Sequence, residues 1–170
     1  MHEVGAAWLM TSLAPQPFMV ALVPAAANLP VFLLALLAGA LADVLDRRRL
    51  IICTQSYIFL MAASLAATTQ AGLTGPWLLI LFTFLLASGN ALIWPAWQAM
   101  MPELVPREEV PSAMALGGIG FNLARIIGPM LGGYIVGKAG SWAVFYLNAF
   151  SYVVAVLALF TWRREPVERR

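Results

Sequence analysis

Apolar residues fill this chain in long unbroken runs, neither alternating with polar ones nor recurring at the three-to-four spacing of a half-buried helix. Residues 18–42, 50–70, 77–101, 112–137 and 142–162 form five such runs, and the single charge among them is Arg125. A hydrocarbon core about 30 Å thick is crossed by ~20 residues at 1.5 Å rise per residue, so each run is long enough to span it. Backbone groups inside lipid must be satisfied within their own segment, which makes continuous helices the expected structure. A barrel would need alternating strands, and none is visible. A sixth apolar run, residues 4–14, would reach only ~16 Å as a helix. It reads as the outer half of a first span whose beginning lies upstream of Met1, with Pro15 and Pro17 making the outer turn. The predicted architecture is all-α and integral to the membrane, with five full spans and a remnant of a first.

Composition agrees: 62% of residues are hydrophobic and 11% charged. Charge placement is more informative than the net +2. Arg47, Arg48, Arg49, Arg107, Arg163, Arg164, Arg169 and Arg170 all fall in alternate loops or the C-terminal tail, whereas residues 14–17, 71–76 and 138–141 carry only Lys138. The positive-inside rule puts the arginine-bearing side and the C-terminus in the cytoplasm. Trp77 and Trp142 begin spans on the outer side and Trp162 ends one on the inner side, as an aromatic belt requires. Basic clusters set hard against spans argue for a membrane surface and against nucleic acid.

Catalytic chemistry finds no support. Cys53 is the only cysteine and lies within a span, so no internal disulfide forms and an inert packing role is expected. His2 is the only histidine, and no cluster of His, Cys and acidic residues has metal-ligand spacing. GxSxG, phosphate-loop and HExxH patterns are absent. No enzyme, metal or cofactor is expected.

Three segments carry a family resemblance. GALADVLDRRR, residues 39–49, resembles the loop between the second and third helices of the major facilitator superfamily, a pattern of GxxxD followed by R or K, x, G, R and R or K. Val44 stands where that pattern has its first basic residue, and Asp46 where it has its second glycine. PAWQAMMPELVPREEVPSA, residues 95–113, is similar to the end of the fourth helix and the loop after it, and ARIIGPMLGG, residues 124–133, resembles the fifth-helix GPxxGG signature. Together with VGAAWLMTSL at residues 4–13, they place the resemblance in the branch of enterobactin exporters and transmembrane secretion effectors. The resemblance implies that residues 1–170 form the N-terminal six-helix half of a twelve-helix transporter, with the substrate held near the midplane between two halves. A fragment, a split gene product or a late-assigned start would explain the length, as would a small protein that pairs with a separate half.

Several residues stand out as candidates. Gly39 and Asp43 share a helix face; the glycine permits close approach of a neighbour, and the carboxylate can accept from a facing helix N-terminus. In the family this contact helps hold one closed state, with Arg47, Arg48 and Arg49 beside it; the alternative is a solvated turn whose arginines serve topology alone. Glu103 could pair with one of them, contributing ~1 kcal/mol or less if exposed, or stand unpaired. Gly120, Ala124, Gly128 and Gly132 form a small-residue stripe, with Gly133 adjoining and Pro129 kinking the helix. Packing explains the stripe, and so does the family's rocking interface between halves.

Arg125 lies mid-span, where a cation costs at least ~2.5 kcal/mol, and arginine cannot shed its proton. It is expected either to bond Asn122 or carbonyls freed by Pro129, or to meet an anionic or hydrogen-bonding substrate or an acidic partner. If the first span begins ~10 residues upstream, as the resemblance implies, His2 and Glu3 lie near the midplane and face the cavity lined by the first and fourth helices, where a buried carboxylate could cycle a proton; in the chain as given, both are expected to be solvated at its start. Asn90, Trp94 and Gln98, four apart, make one stripe suited to a cavity wall or to bonding between helices. The function these residues suggest is proton-coupled efflux of small organic solutes, siderophore-like or drug-like, by alternating access in a bacterial inner membrane. The competing expectations are a scaffold or inactive fragment that inserts but moves nothing, and a half-transporter that works as a dimer.

Overall fold

The computed structural model describes residues 1–106 and 108–161, apart from the side chains at 42, 43 and 102–104. The side chains of Asp43 and Glu103, and the whole of Arg107, Trp162, Arg163, Arg164, Arg169 and Arg170, therefore lie outside the described residues. Six helices follow one another: α1 (His2–Leu13), α2 (Pro17–Val44), α3 (Arg47–Gln70), α4 (Pro76–Leu104), α5 (Val110–Ala139) and α6 (Ser141–Thr161). Five of them, α2 to α6, are long and apolar enough to cross a membrane.

The helix ends follow from local chemistry. Prolines occupy the first turns of α2, α4 and α5, where the missing N–H has no intrahelical partner to lose. Asp46 caps α3 by accepting the backbone N–H of Arg49 at 2.9 Å. Arg47, Arg48 and Arg49 consequently form the first turn of α3, where the sequence pattern had placed them in a loop. On the opposite side Gly72 and Gly140 turn the chain with φ of +71° and +91°, values that a side chain resists. Hydrogen bonds among Thr68, Thr69 and Thr74 close the turn between α3 and α4.

The core lies along α3, which packs between α4 and α6, while α2 packs along α4. Its buried residues are Ile58, Ala62, Leu65 and Ala66 of α3, Leu79 and Leu86 of α4, Ala6 and Met10 of α1, Met19 and Val23 of α2, and Phe145 and Ala149 of α6. Lipid tails are as apolar as leucine, so helices in a bilayer gain little from burying apolar surface and rely on close van der Waals fit. Small residues at the contacts provide that fit. At Gly89 of α4 an added Cβ would collide with Ile58 and come within 3.1 Å of Tyr57, so only glycine lets α3 approach. A second cluster, Ile51, Ala96, Met100 and Leu159, joins α3, α4 and α6 at the end that begins with the arginines.

Candidate functional site

The arginine end of α3 ties neighbouring helices together. The Arg47 guanidinium donates to the Ala99 carbonyl of α4 at 2.9 Å. Arg48 donates through Nε and Nη2 to the Leu159 carbonyl of α6, at 3.2 and 2.8 Å, and through Nη2 to that of Phe160. Both arginines reach the C-terminal part of a neighbouring helix, where the negative end of the helix dipole favours a cation. Arg49 stays exposed. Around Gly39 nothing lies within 4 Å of where a Cβ would be, which leaves that face of α2 open among the described residues.

At the other candidate positions, the helices separate residues that the sequence had grouped. His2 turns toward α6, its ring 5.4 Å from that of Phe145 and tilted by 44°, and its Nε2 is buried without a hydrogen-bond partner among the described residues. Glu3, one residue along, points outward and is exposed. A helix rotates about 100° per residue, so neighbours in sequence cannot share a narrow face. In α5 the stripe of small residues divides as well. Gly128 and Gly132 are buried against Met1 and, in α1, Val4, with contacts of 3.5–3.7 Å to an added Cβ, whereas Gly120 and Gly133 face open space. A groove of about 480 Å³ runs along this face, lined by Met1, Gly120, Ala124, Ile127, Gly128 and Asn148 among others.

Between α4 and α5 the structure assembles a cluster. Asn90, Trp94 and Gln98 all lie exposed on one face of α4. The Trp94 ring sits 5.3 Å from Phe121 of α5 at 47°, and the Arg125 guanidinium lies 5.9 Å from the centre of the same Phe121 ring. Phe121 thus links an exposed tryptophan to a mid-span cation, a pairing within the reach of aromatic and cation–π attraction. It is the residue that the sequence reading missed. The available signal was its position four residues before Arg125, which puts both on one face of α5.

Arg125 makes no hydrogen bond or ion pair among the described residues. The Asn122 amide donates instead to the Gly118 carbonyl at 2.9 Å, and Asn90 spends its amide on the Leu86 carbonyl at 3.0 Å. Pro129 supplies no N–H to the residue four before it, so the carbonyl that loses its helical partner is that of Arg125 itself. A fixed cation, an open carbonyl and two amide side chains would be costly against lipid. The faces of α4 and α5 that carry them are accordingly suited to a polar cavity.

Comparisons with known proteins agree with this architecture. The model of the family described as transmembrane secretion effector matches residues 1–170. The chain is 28% identical to the staphyloferrin A transporter of Staphylococcus aureus over 91% of its length and 39% of the relative's. It is 30% identical to the multi-drug resistance efflux pump PmrA of Streptococcus pneumoniae over 72% of its length and 29% of that protein's. Against the multidrug efflux pump Tap of Mycobacterium tuberculosis the identity is 24%, over 89% of this chain and 38% of the pump. No solved structure matches the chain. The chain thus spans about two fifths or less of the length of these relatives. The family match over every residue, with six helices of which five can cross a membrane, leads to one conclusion: the chain belongs to the transmembrane secretion effector family of the major facilitator superfamily, membrane transporters rather than enzymes.

Proposed function

We propose that this chain is the N-terminal six-helix half of an exporter of small organic solutes, working by alternating access in the bacterial inner membrane and coupled to protons. The observation that carries the reading is the cluster of Asn90, Trp94, Gln98, Phe121 and Arg125 on the exposed faces of α4 and α5, in a chain whose relatives are efflux pumps and a siderophore transporter. These faces form one wall of a cavity, and a second six-helix half, covalent or separate, forms the other. Inverted or parallel repeats that rock about a midplane site are the usual way such halves work. Glu3 is the candidate proton carrier: it is exposed on α1, and carboxylates inside membranes commonly serve proton relays.

The arginine end of α3 lies on the cytoplasmic side in this reading, along with the C-terminus. Arg47 and Arg48 tie α3 to α4 and α6, and the open surface around Gly39 receives the other half in one closed state. Cysteines placed at Gly75 and at Arg49, after Cys53→Ser, should label from opposite sides of the membrane; labelling of both from one side would refute this topology.

The transport reading is tested by dye or siderophore efflux from cells. The chain joined to a C-terminal half should extrude cargo, and Asp43→Asn in that whole should abolish it; the 170-residue chain alone should insert without extruding anything. Efflux by the chain alone would favour a self-sufficient dimer. Efflux from no arrangement would leave an inserted scaffold.

A further inference from the structure

Arg125 differs from every other arginine with a described side chain. Arg47 and Arg48 donate to backbone carbonyls of α4 and α6, and Arg49 lies in the first turn of α3, next to the turn between α2 and α3. Arg125 sits halfway along a 30-residue helix, exposed, with a phenyl ring as its contact and no acceptor for its N–H groups among the described residues. A guanidinium offers five donors in a planar fork and keeps its charge at any working pH. The Phe121 π-cloud attracts the guanidinium but leaves the edge of the fork, where a carboxylate would bind, unfilled. Asn122, the nearest polar side chain in sequence, donates its amide to the Gly118 carbonyl, and neither it nor Glu3 bonds Arg125 among the described residues. Trp94, 51% exposed, presents a free indole surface next to the ring on which the cation rests.

We infer that the site selects its cargo by charge: it takes solutes that combine an anionic group, held in the Arg125 fork, with a flat aromatic body laid against Trp94 and Phe121, and it rejects the cationic counterparts. The inference rests on the transport reading above and names the solutes which that site accepts. The physical basis is the low effective dielectric of a cavity between helices, where an uncompensated cation attracts an anion and repels a second cation far more strongly than it would in water. The aromatic pair contributes to all flat ligands alike, so charge preference belongs to Arg125 and general affinity to Trp94.

The test uses the 170-residue chain joined to a C-terminal half, in nanodiscs of zwitterionic phosphatidylcholine, so that both walls of the cavity are present. Binding of 1-naphthoate, 1-naphthamide and 1-naphthylmethylammonium, three probes of one shape and different charge, is measured by equilibrium dialysis. The anion should bind at least about tenfold more tightly than the neutral amide, and the cation more weakly still. Arg125→Gln should bring the three within about twofold of one another. Arg125→Lys should keep the order with a smaller ratio, because the charge remains while the fork is lost. Trp94→Ala should weaken all three about equally, by roughly five- to tenfold, a pattern that loss of fold or of charge would not produce. Equal binding of the three probes by the unaltered chain, or an anion preference that survives Arg125→Gln, would overturn the inference while leaving a binding site for cargo in place. Binding of none would remove that site and the inference together. In cells carrying the complete exporter the same order should govern efflux, and extrusion of the ammonium probe as fast as the carboxylate would also overturn it.

Discussion

Helices α3 and α5 are similar in kind, apolar and of membrane-crossing length at 24 and 30 residues, yet the bundle uses them in opposite ways. Along α3, Ile51, Thr54, Ile58, Ala62, Leu65 and Ala66 are buried at spacings of one to four residues, a continuous contact stripe. Along α5 only Gly128, Gly132 and Val136 are buried. The difference comes from side-chain volume at the contact and from what fixes the ends. Helix α3 has β-branched and leucine side chains facing α4 and α6, a capped start and two arginines bonded to its neighbours. Helix α5 offers glycine where α1 approaches, a proline that breaks its ladder, and Glu109 at its start without a side-chain cap. In a bilayer, where fit rather than burial holds helices together, the first arrangement makes a scaffold and the second a wall that can shift.

The largest expected effect tests whether this contrast is one of stability. Gly89→Val places a branched side chain on the backbone of α4 where a single Cβ already meets Ile58 and Tyr57. Overpacking of this kind costs about 1–3 kcal/mol when neighbours can give, and more where two helix backbones must separate. Thermal unfolding in detergent should fall well below that of the unaltered chain. The matched change on α5, Gly133→Ala, adds its methyl to open space and exchanges glycine for the best helix former, a change worth about 1 kcal/mol in the favourable direction. If both variants shift the transition equally, the division into scaffold and wall is wrong.

A smaller effect is expected where α3 clamps α6. Removing the Arg48 guanidinium removes its bonds to the Leu159 carbonyl, and bonds involving a charged partner contribute about 1.5–3 kcal/mol. Arg48→Ala should lower the unfolding temperature and loosen the end of α6 in hydrogen exchange; Arg48→Lys should recover part of it. Arg125→Ala on α5 should leave the same unfolding temperature almost unchanged, since its contact is one ring. An equal loss from the two arginines would mean that Arg125 is structural.

These contrasts also show what a linear sequence can and cannot disclose. The all-helical membrane class was legible because an apolar run of bilayer length has one physical solution. The family was legible from the segments around Asp43, residues 95–113 and Gly128. The Trp94, Phe121 and Arg125 cluster was only partly legible. Trp94 and Arg125 attract notice for their type, but one phenylalanine in an apolar span looks like any other until the crossing of α4 and α5 selects it. His2 was misleading for the same reason: its direction depends on which face of a short helix meets Phe145. The roles of Arg47 and Arg48 were hidden because their partners are backbone carbonyls 52 and 111 residues away, which no side-chain pattern records.

Asp46 gives the finest resolution of the comparison. At this position the family pattern has glycine, and in this chain the carboxylate accepts the Arg49 N–H at the start of α3. Replacing an aspartate cap with alanine costs about 1 kcal/mol, while replacing it with glycine costs only a few tenths, because glycine adopts the cap conformation readily and leaves the N–H open to water. Asp46→Ala should therefore destabilise the chain measurably and Asp46→Gly hardly at all, so the family's glycine and this chain's aspartate become two solutions to one helix start. Glu109→Ala, at the corresponding position of α5, should fall within the error of the measurement, since no side-chain bond is lost there. Chemical denaturation with all three variants side by side would resolve the order. If Asp46→Gly proved as damaging as Asp46→Ala, the carboxylate would be needed for more than the cap, and its other contacts at the arginine end would become the place to look.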